Sequence, residues 1–155
     1  MPIHYLKGDA TMPVGAGQKA IVHVCNDIGA WGAGFVLAIS KRWSQPEIQY
    51  KNWCKSRMNF TLGFVQPVRV SEDITVINMI GQKGIRRFNN MIPLKYDALE
   101  TCLTKVAGYC KRNNMSIHMP RIGCGLAGGD WNKVEAIINK TLISNGLEVF
   151  VYDFD

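Results

Sequence analysis

The sequence predicts an α/β fold in which a mixed sheet of about six strands is sandwiched between helices. Three observations predict it. Short apolar runs of strand length alternate with stretches of helical period, in the order β-β-α-α-β-β-α-β-α-β. Strands follow one another directly at the start and in the middle of that order, unlike in a plain doubly wound sheet. The 155 residues are 47% hydrophobic and 19% charged, enough for one well-buried core, and show no repeat, linker or low-complexity segment. Residues 1–155 are therefore read as a single domain.

The elements follow from local chemistry. "IHYLKGD" and "KAIVHVCN" read as strands, the second because Ile21, Val22 and Val24 form an apolar run between polar ends. "GAGFVLAISKRW" supplies a helix and "QPEIQYKNWCKS" another, with Pro46 at a favourable early helical position. "GFVQPVRV" and "ITVINMI" are two further strands, and Pro67 marks the first as an edge or a bulge. From Pro93 to about Asn114, Leu99, Leu103, Val106 and Cys110 recur at helical spacing, with Pro93 placed as a helix start. "SIHMP" is a short strand. A last helix runs from Asp130 to Ser144, with Trp131, Val134, Ile138 and Leu142 on one face and Asp130 as N-cap, before the strand "LEVFVYDF".

Composition narrows the partners. No run approaches the roughly 18 apolar residues of a spanning helix, and the N-terminus lacks the basic and apolar regions of a secretory signal. The expectation is a soluble, cytoplasmic protein with no membrane partner. The formal charge of +6 favours anions, but the basic residues are scattered, with only short groups such as Lys83, Arg86 and Arg87. That suits a phosphate-bearing small molecule as well as nucleic acid. The five cysteines are odd in number and contain no C-x-x-C pair, so reduced, mostly buried thiols are expected, with no metal site and no cofactor.

Two glycine-rich turns carry the chemistry. Loop one, "NDIGAWGAG" from Asn26 to Gly34, joins a strand to a helix; loop two, in "MPRIGCGLAGGDW", has the pattern Gly123-x-Gly125-x-x-Gly128. Helix N-termini at the carboxyl ends of strands attract anions, and glycines let backbone approach phosphate oxygens. Two such loops at one sheet edge suit a diphosphate held from both sides. A dinucleotide fingerprint should open a long βαβ succession, yet one helix and one strand follow loop two. Neither loop has the Gly-Lys-Ser/Thr of a Walker loop, and "GAGQKA" fails its spacing. Cys124 lacks the following arginine of a cysteine-phosphatase loop and reads as a small residue tucked under the turn.

The stretches "KGD", "VCNDIGAWGAGFVLAISKRW", "NMIGQKG", "MPRIGCGLAGGDW" and "VFVYDF" together resemble a macrodomain, in order and over nearly the whole chain. They are most similar to the branch of the terminal ADP-ribose protein glycohydrolase and the ADP-ribose-1''-phosphate phosphatases. The resemblance implies a macrodomain-type three-layer α/β/α sandwich. It implies that Asp9 accepts a hydrogen bond from the adenine amine and that Tyr152, with Phe154 as the alternative, rests near the adenine ring. Asn26, Gly32, Ala33 and Gly34 would line the distal ribose and phosphate, and Gly123, Cys124, Gly125, Leu126 and Ala127 would wrap the diphosphate. Trp31 either covers the ribose or packs beneath loop one.

For catalysis, the glycohydrolase uses a lysine after the "NMI"-like strand and an aspartate in loop two, where this chain has Gln82 and Ala127. Lys83 is adjacent, but neighbouring strand residues point to opposite faces. The phosphatases carry a histidine on the strand entering loop one, which His23 matches; a satisfied core histidine is the competing reading. By resemblance the catalytic residues are Asn26 and His23, with activity expected to fall as His23 protonates near its unperturbed pKa of about 6.5. His4 and His118 match no catalytic position. The implied function is ADP-ribose binding with hydrolysis of ADP-ribose-1''-phosphate to ADP-ribose and phosphate. The alternatives are a non-catalytic ADP-ribose reader, and a mono-ADP-ribosyl hydrolase acting on acidic side chains or nucleic-acid bases. The implied partners are ADP-ribose, its 1''-derivatives and ADP-ribosylated macromolecules; a nucleic-acid-binding role ranks last.

Overall fold

The computed structural model describes residues 2–85 and 91–154; Arg86 and Arg87 of the basic group lie outside the described residues. The strands are β1 (His4–Lys7), β2 (Gln18–Asn26), β3 (Val65–Arg69), β4 (Ile74–Gln82), β5 (Met115–Met119) and β6 (Val149–Asp153). The helices are α1 (Phe35–Arg42), α2 (Gln45–Ser56), α3 (Tyr96–Arg112) and α4 (Trp131–Thr141), in the chain order that the periodicities predict.

One six-stranded sheet runs β1-β6-β5-β2-β4-β3, with β3 antiparallel to β4 and every other pair parallel. Pro67 sits in β3, an edge strand, where its missing N–H costs no ladder bond. Both faces of the sheet are covered. Ala20 and Val22 of β2 pack with α3 and α4 through Leu99, Leu103, Val106, Val134 and Ile138. Ile21 and Cys25 face the opposite way, onto Val36 and Ile39 of α1 and Tyr50 of α2. That alternation along β2 makes three layers.

The observed boundaries differ from the local reading where tertiary pairing intervenes. Pro93 does not open α3, which starts at Tyr96. Instead Leu94 bridges Gln82, Pro93 accepts from Lys83 N–H and Lys95 N–H donates to Gly81, so the segment extends along β4 before the helix begins. Helix α1 starts at Phe35, because Gly34 sits at φ 84°, ψ −149°, outside helical space. Helix α4 ends at Thr141 and gives way to a 3₁₀ turn, Ile143–Asn145. Among the described residues no helix is long and apolar enough to cross a membrane.

Candidate functional site

Five strands are mutually parallel, so Asp9, Asn26, Gln82, Arg121 and Asp153 all stand at or just beyond the strands' carboxyl ends, along one edge. Beyond β2 the chain turns to the α1/α2 layer; beyond β5 it turns to α4 on the other face. The crevice between those two departures is where a parallel sheet can accept a ligand. A cavity of about 460 Å³ lies there, bordered by residues of loops one and two, including Gly32, Gly34, Gly125 and Ala127.

Loop one is held by Asn26. Its Oδ1 accepts from Ile28 N–H (3.0 Å), Ala30 N–H (3.0 Å) and the Tyr50 hydroxyl (2.8 Å), while Nδ2 donates to Ala30 O (2.8 Å). The hydroxyl of Tyr50, from α2, also lies 2.7 Å from Asn26 O. The side-chain oxygen is thus fully committed to the loop, and one Nδ2 hydrogen is left over. The loop delivers the chain into α1 through Gly34, which offers no side-chain cap, and no acidic residue occupies the helix's first turn. The positive end of α1 therefore meets the cleft without an internal anion.

Loop two closes on itself. Gly129 N–H donates to Gly123 O (2.7 Å) and Gly128 N–H to Gly125 O (3.0 Å). A Cβ on Gly129 would lie 2.6 Å from Gly123 O, so this approach requires glycine. Gly125 borders the cavity and has open space where a Cβ would go. The two loops approach each other: a Cβ on Gly34 would meet Leu126 Cδ1 at 3.8 Å. Helix α4 leaves loop two already capped, its Asp130 carboxylate accepting from Asn132 N–H, as its N-cap position predicts.

His23 borders the cleft at its floor, 2% exposed, with Nε2 2.5 Å from Asn78 Oδ1 and its ring against Trp31 and Phe35. Burial pushes its pKa down to about 4, against the opposing effect of the hydrogen bond to Asn78 Oδ1. The imidazole is therefore neutral far below pH 6.5, which corrects the expectation of a switch near that value. Gln82 also borders the cleft, opposite Asn26 in the strand register, and its Nε2 donates to Gly84 O. Lys83 is exposed in the bend that follows and does not line the cavity.

Several expected ligand residues stand elsewhere. Trp31 packs beneath loop one, its Nε1 donating to Ser40 Oγ and its ring against Tyr50. Cys124 packs against the α3/α4 core instead of lining the cavity, and burial raises its pKa. Tyr152 is 3% exposed, with its hydroxyl accepting from Val14 N–H and 2.7 Å from His118 Nδ1; Phe154 is 79% exposed. Asp9 lies outside the cavity wall, accepting from both Thr11 N–H and Thr11 Oγ1 and facing Arg42 at 3.5 Å. Burial acts to raise the Asp9 pKa, but the Thr11 bonds and Arg42 outweigh it and hold the carboxyl below its usual range.

Sequence reasoning missed three residues. Arg121 borders the cleft, paired with both Asp153 oxygens (2.7 and 3.0 Å) and lying over the rings of Tyr5 and Trp131. Its position two residues before Gly123 was the available signal. Tyr50 and Asn78 carried none, because their partners lie 24 and 55 residues away in the chain.

No family model matches the sequence. A solved macrodomain protein from Streptomyces coelicolor is 48% identical, with a TM-score of 0.87 and 99% of each chain covered. A protein of unknown function from Bacteroides thetaiotaomicron is 53% identical, with a TM-score of 0.98 over 99% of this chain and 98% of that one. Among curated proteins, chromodomain-helicase-DNA-binding protein 1-like of Mus musculus is 29% identical over 98% of this chain, which spans 18% of that protein's length. The ADP-ribose 1''-phosphate phosphatase of Candida albicans is 24% identical over 89% of this chain and 92% of its own.

Proposed function

Because the chain belongs to the macrodomain family, we propose that its cleft binds ADP-ribose and that the protein hydrolyses ADP-ribose-1''-phosphate to ADP-ribose and inorganic phosphate. The observation that carries the reading is the pairing of two anion-binding devices across one cavity of about 460 Å³. The uncapped N-terminus of α1 faces a closed glycine loop, a spacing that suits a diphosphate with a sugar beyond it. A full-length relative named ADP-ribose 1''-phosphate phosphatase supports the reaction type.

In this reading Asp9 and Phe154 serve the adenine end, Gly123 to Ala127 the diphosphate, and Asn26, Gly32, Ala33 and Gly34 the distal ribose. Water adds across the phosphoester bond; the sugar oxygen leaves with a proton and phosphate is released. Asn26 contributes its remaining Nδ2 hydrogen to the distal ribose or its phosphate. His23, neutral at the cleft floor, accepts a proton from the attacking water.

A second reading, an ADP-ribose reader without turnover, is favoured by the depth of His23 and by Gln82 and Ala127 at the glycohydrolase positions. Phosphate release separates the two. It is measured for wild type, His23→Ala, Lys83→Ala and Asn26→Asp, the last of which keeps Oδ1 for the loop and removes the Nδ2 donor. Each variant is first shown to bind ADP-ribose. The expected outcome is release by wild type and Lys83→Ala, with a loss of roughly 100-fold or more in His23→Ala. Loss in Lys83→Ala alone restores a lysine mechanism; no release from any 1''-derivative by wild type leaves the reader.

A further inference from the structure

Behind His23 a chain of side-chain amides runs to the backbone of α2, and its direction is fixed at both anchors. A carbonyl oxygen can only accept. Gln66 Nε2 is 3.0 Å from Gln49 O, so the amide nitrogen of Gln66 faces α2 and its Oε1 faces Asn78, 3.0 Å from Asn78 Nδ2. The same Nδ2 is 3.2 Å from Pro46 O, a second α2 carbonyl. Asn78 Oδ1 is therefore turned toward His23 Nε2, at 2.5 Å, and an amide oxygen cannot donate. Reversing the chain would set acceptor against acceptor at Pro46 and again at Gln49.

From this geometry we infer that Asn78 is a positioning residue that holds His23 in its Nε2–H tautomer and leaves Nδ1 with the free lone pair. The strand register enforces the contact, since His23 and Asn78 are directly opposite in the β2/β4 pairing. The other neighbours of the imidazole do not select a tautomer. Trp31 and Phe35 present rings to it, and the Cys25 sulfur is 3.8 Å from both ring nitrogens. Among the described residues no charged group contributes to its protonation. Among the described residues only the hydrogen bond to Asn78 distinguishes one nitrogen from the other, and a base needs the lone pair on a defined one. The catalytic consequence rests on the proposed function; the tautomer does not.

The test is imidazole ¹⁵N spectroscopy at neutral pH on wild type and Asn78→Ala, paired with steady-state phosphate release. Wild-type His23 is expected as a neutral ring protonated at Nε2, and Asn78→Ala as a mixture of tautomers. On ADP-ribose-1''-phosphate the variant should lose roughly 10- to 100-fold in kcat at unchanged KM, the scale of removing an orienting partner behind a working group. A wild-type ring protonated at Nδ1, or an unaltered Nε2–H signal in Asn78→Ala, overturns the inference. Should the variant not fold, the wild-type spectrum decides alone. Absence of turnover in wild type counts against the proposed reaction, while the spectrum still judges the tautomer.

Discussion

At the scale of single residues, the cleft floor is built from neutral groups whose hydrogen bonds are already assigned. Asn26 spends its oxygen on loop one and Tyr50, and His23 spends one nitrogen on Asn78. Burial of His23 and His118, each pushed down to about 4, also ties the fold to pH. Both rings are neutral in the native state and protonate near 6.5 when unfolded. Between those values the unfolded chain binds more protons, so stability is intact above about pH 6.5 and falls as the pH drops toward 4. For His23 the full effect is on the order of 3 kcal/mol. Urea unfolding midpoints across that range check this, and His23→Gln should flatten part of the slope. A midpoint independent of pH from 7 to 4 would contradict the buried neutral pair.

These residues also show what a sequence can and cannot display. The glycines of both loops were legible because their spacing between a strand and a helix is local information. The enclosure of Tyr152 was not legible, because the face it shares with Phe150 and His118 lies under the loop after β1, reached through the bond to Val14 N–H. Nothing in the strand's own pattern marks that face as covered. The His23–Asn78 contact depends on the register of two strands far apart in the chain, which no local pattern carries.

At the scale of elements, periodicity located every helix and strand in order, and missed boundaries: at α1 through the backbone of Gly34, at α4 through a closing 3₁₀ turn, and at α3 through long-range pairing. Pro93 reads as a helix start by itself, yet pairing along β4 keeps residues 93–95 extended. In the proposed function, helix α1 meets the anion with an N-terminus that has no side-chain cap and no acidic first turn. A carboxylate placed there should satisfy the helix and compete with the ligand. Ala33→Asp is therefore expected to leave the protein as stable as wild type or up to about 1 kcal/mol more stable, while weakening ADP-ribose binding. Thermal unfolding and calorimetry on the same sample read the two effects. Unchanged binding would mean that α1 does not meet the anion.

At the scale of the whole molecule, the site exists because helices leave the sheet to opposite faces at β2 and β5, opening a crevice into which both glycine loops project. The formal charge of +6 suits the anionic ligand of the proposed function. The central claim is that the two loops hold a diphosphate between them, with a sugar on its far side. Calorimetric titration of wild type and Gly125→Val with ADP-ribose and with AMP tests it most directly. Gly125 borders the cleft and a Cβ there would meet nothing within 4 Å, so the variant should fold normally. The account predicts that wild type binds ADP-ribose at least about tenfold more tightly than AMP, a difference of roughly 1.4 kcal/mol or more, and that folded Gly125→Val loses the difference. Equal affinity of wild type for the two nucleotides, or an undiminished preference in Gly125→Val, would contradict it.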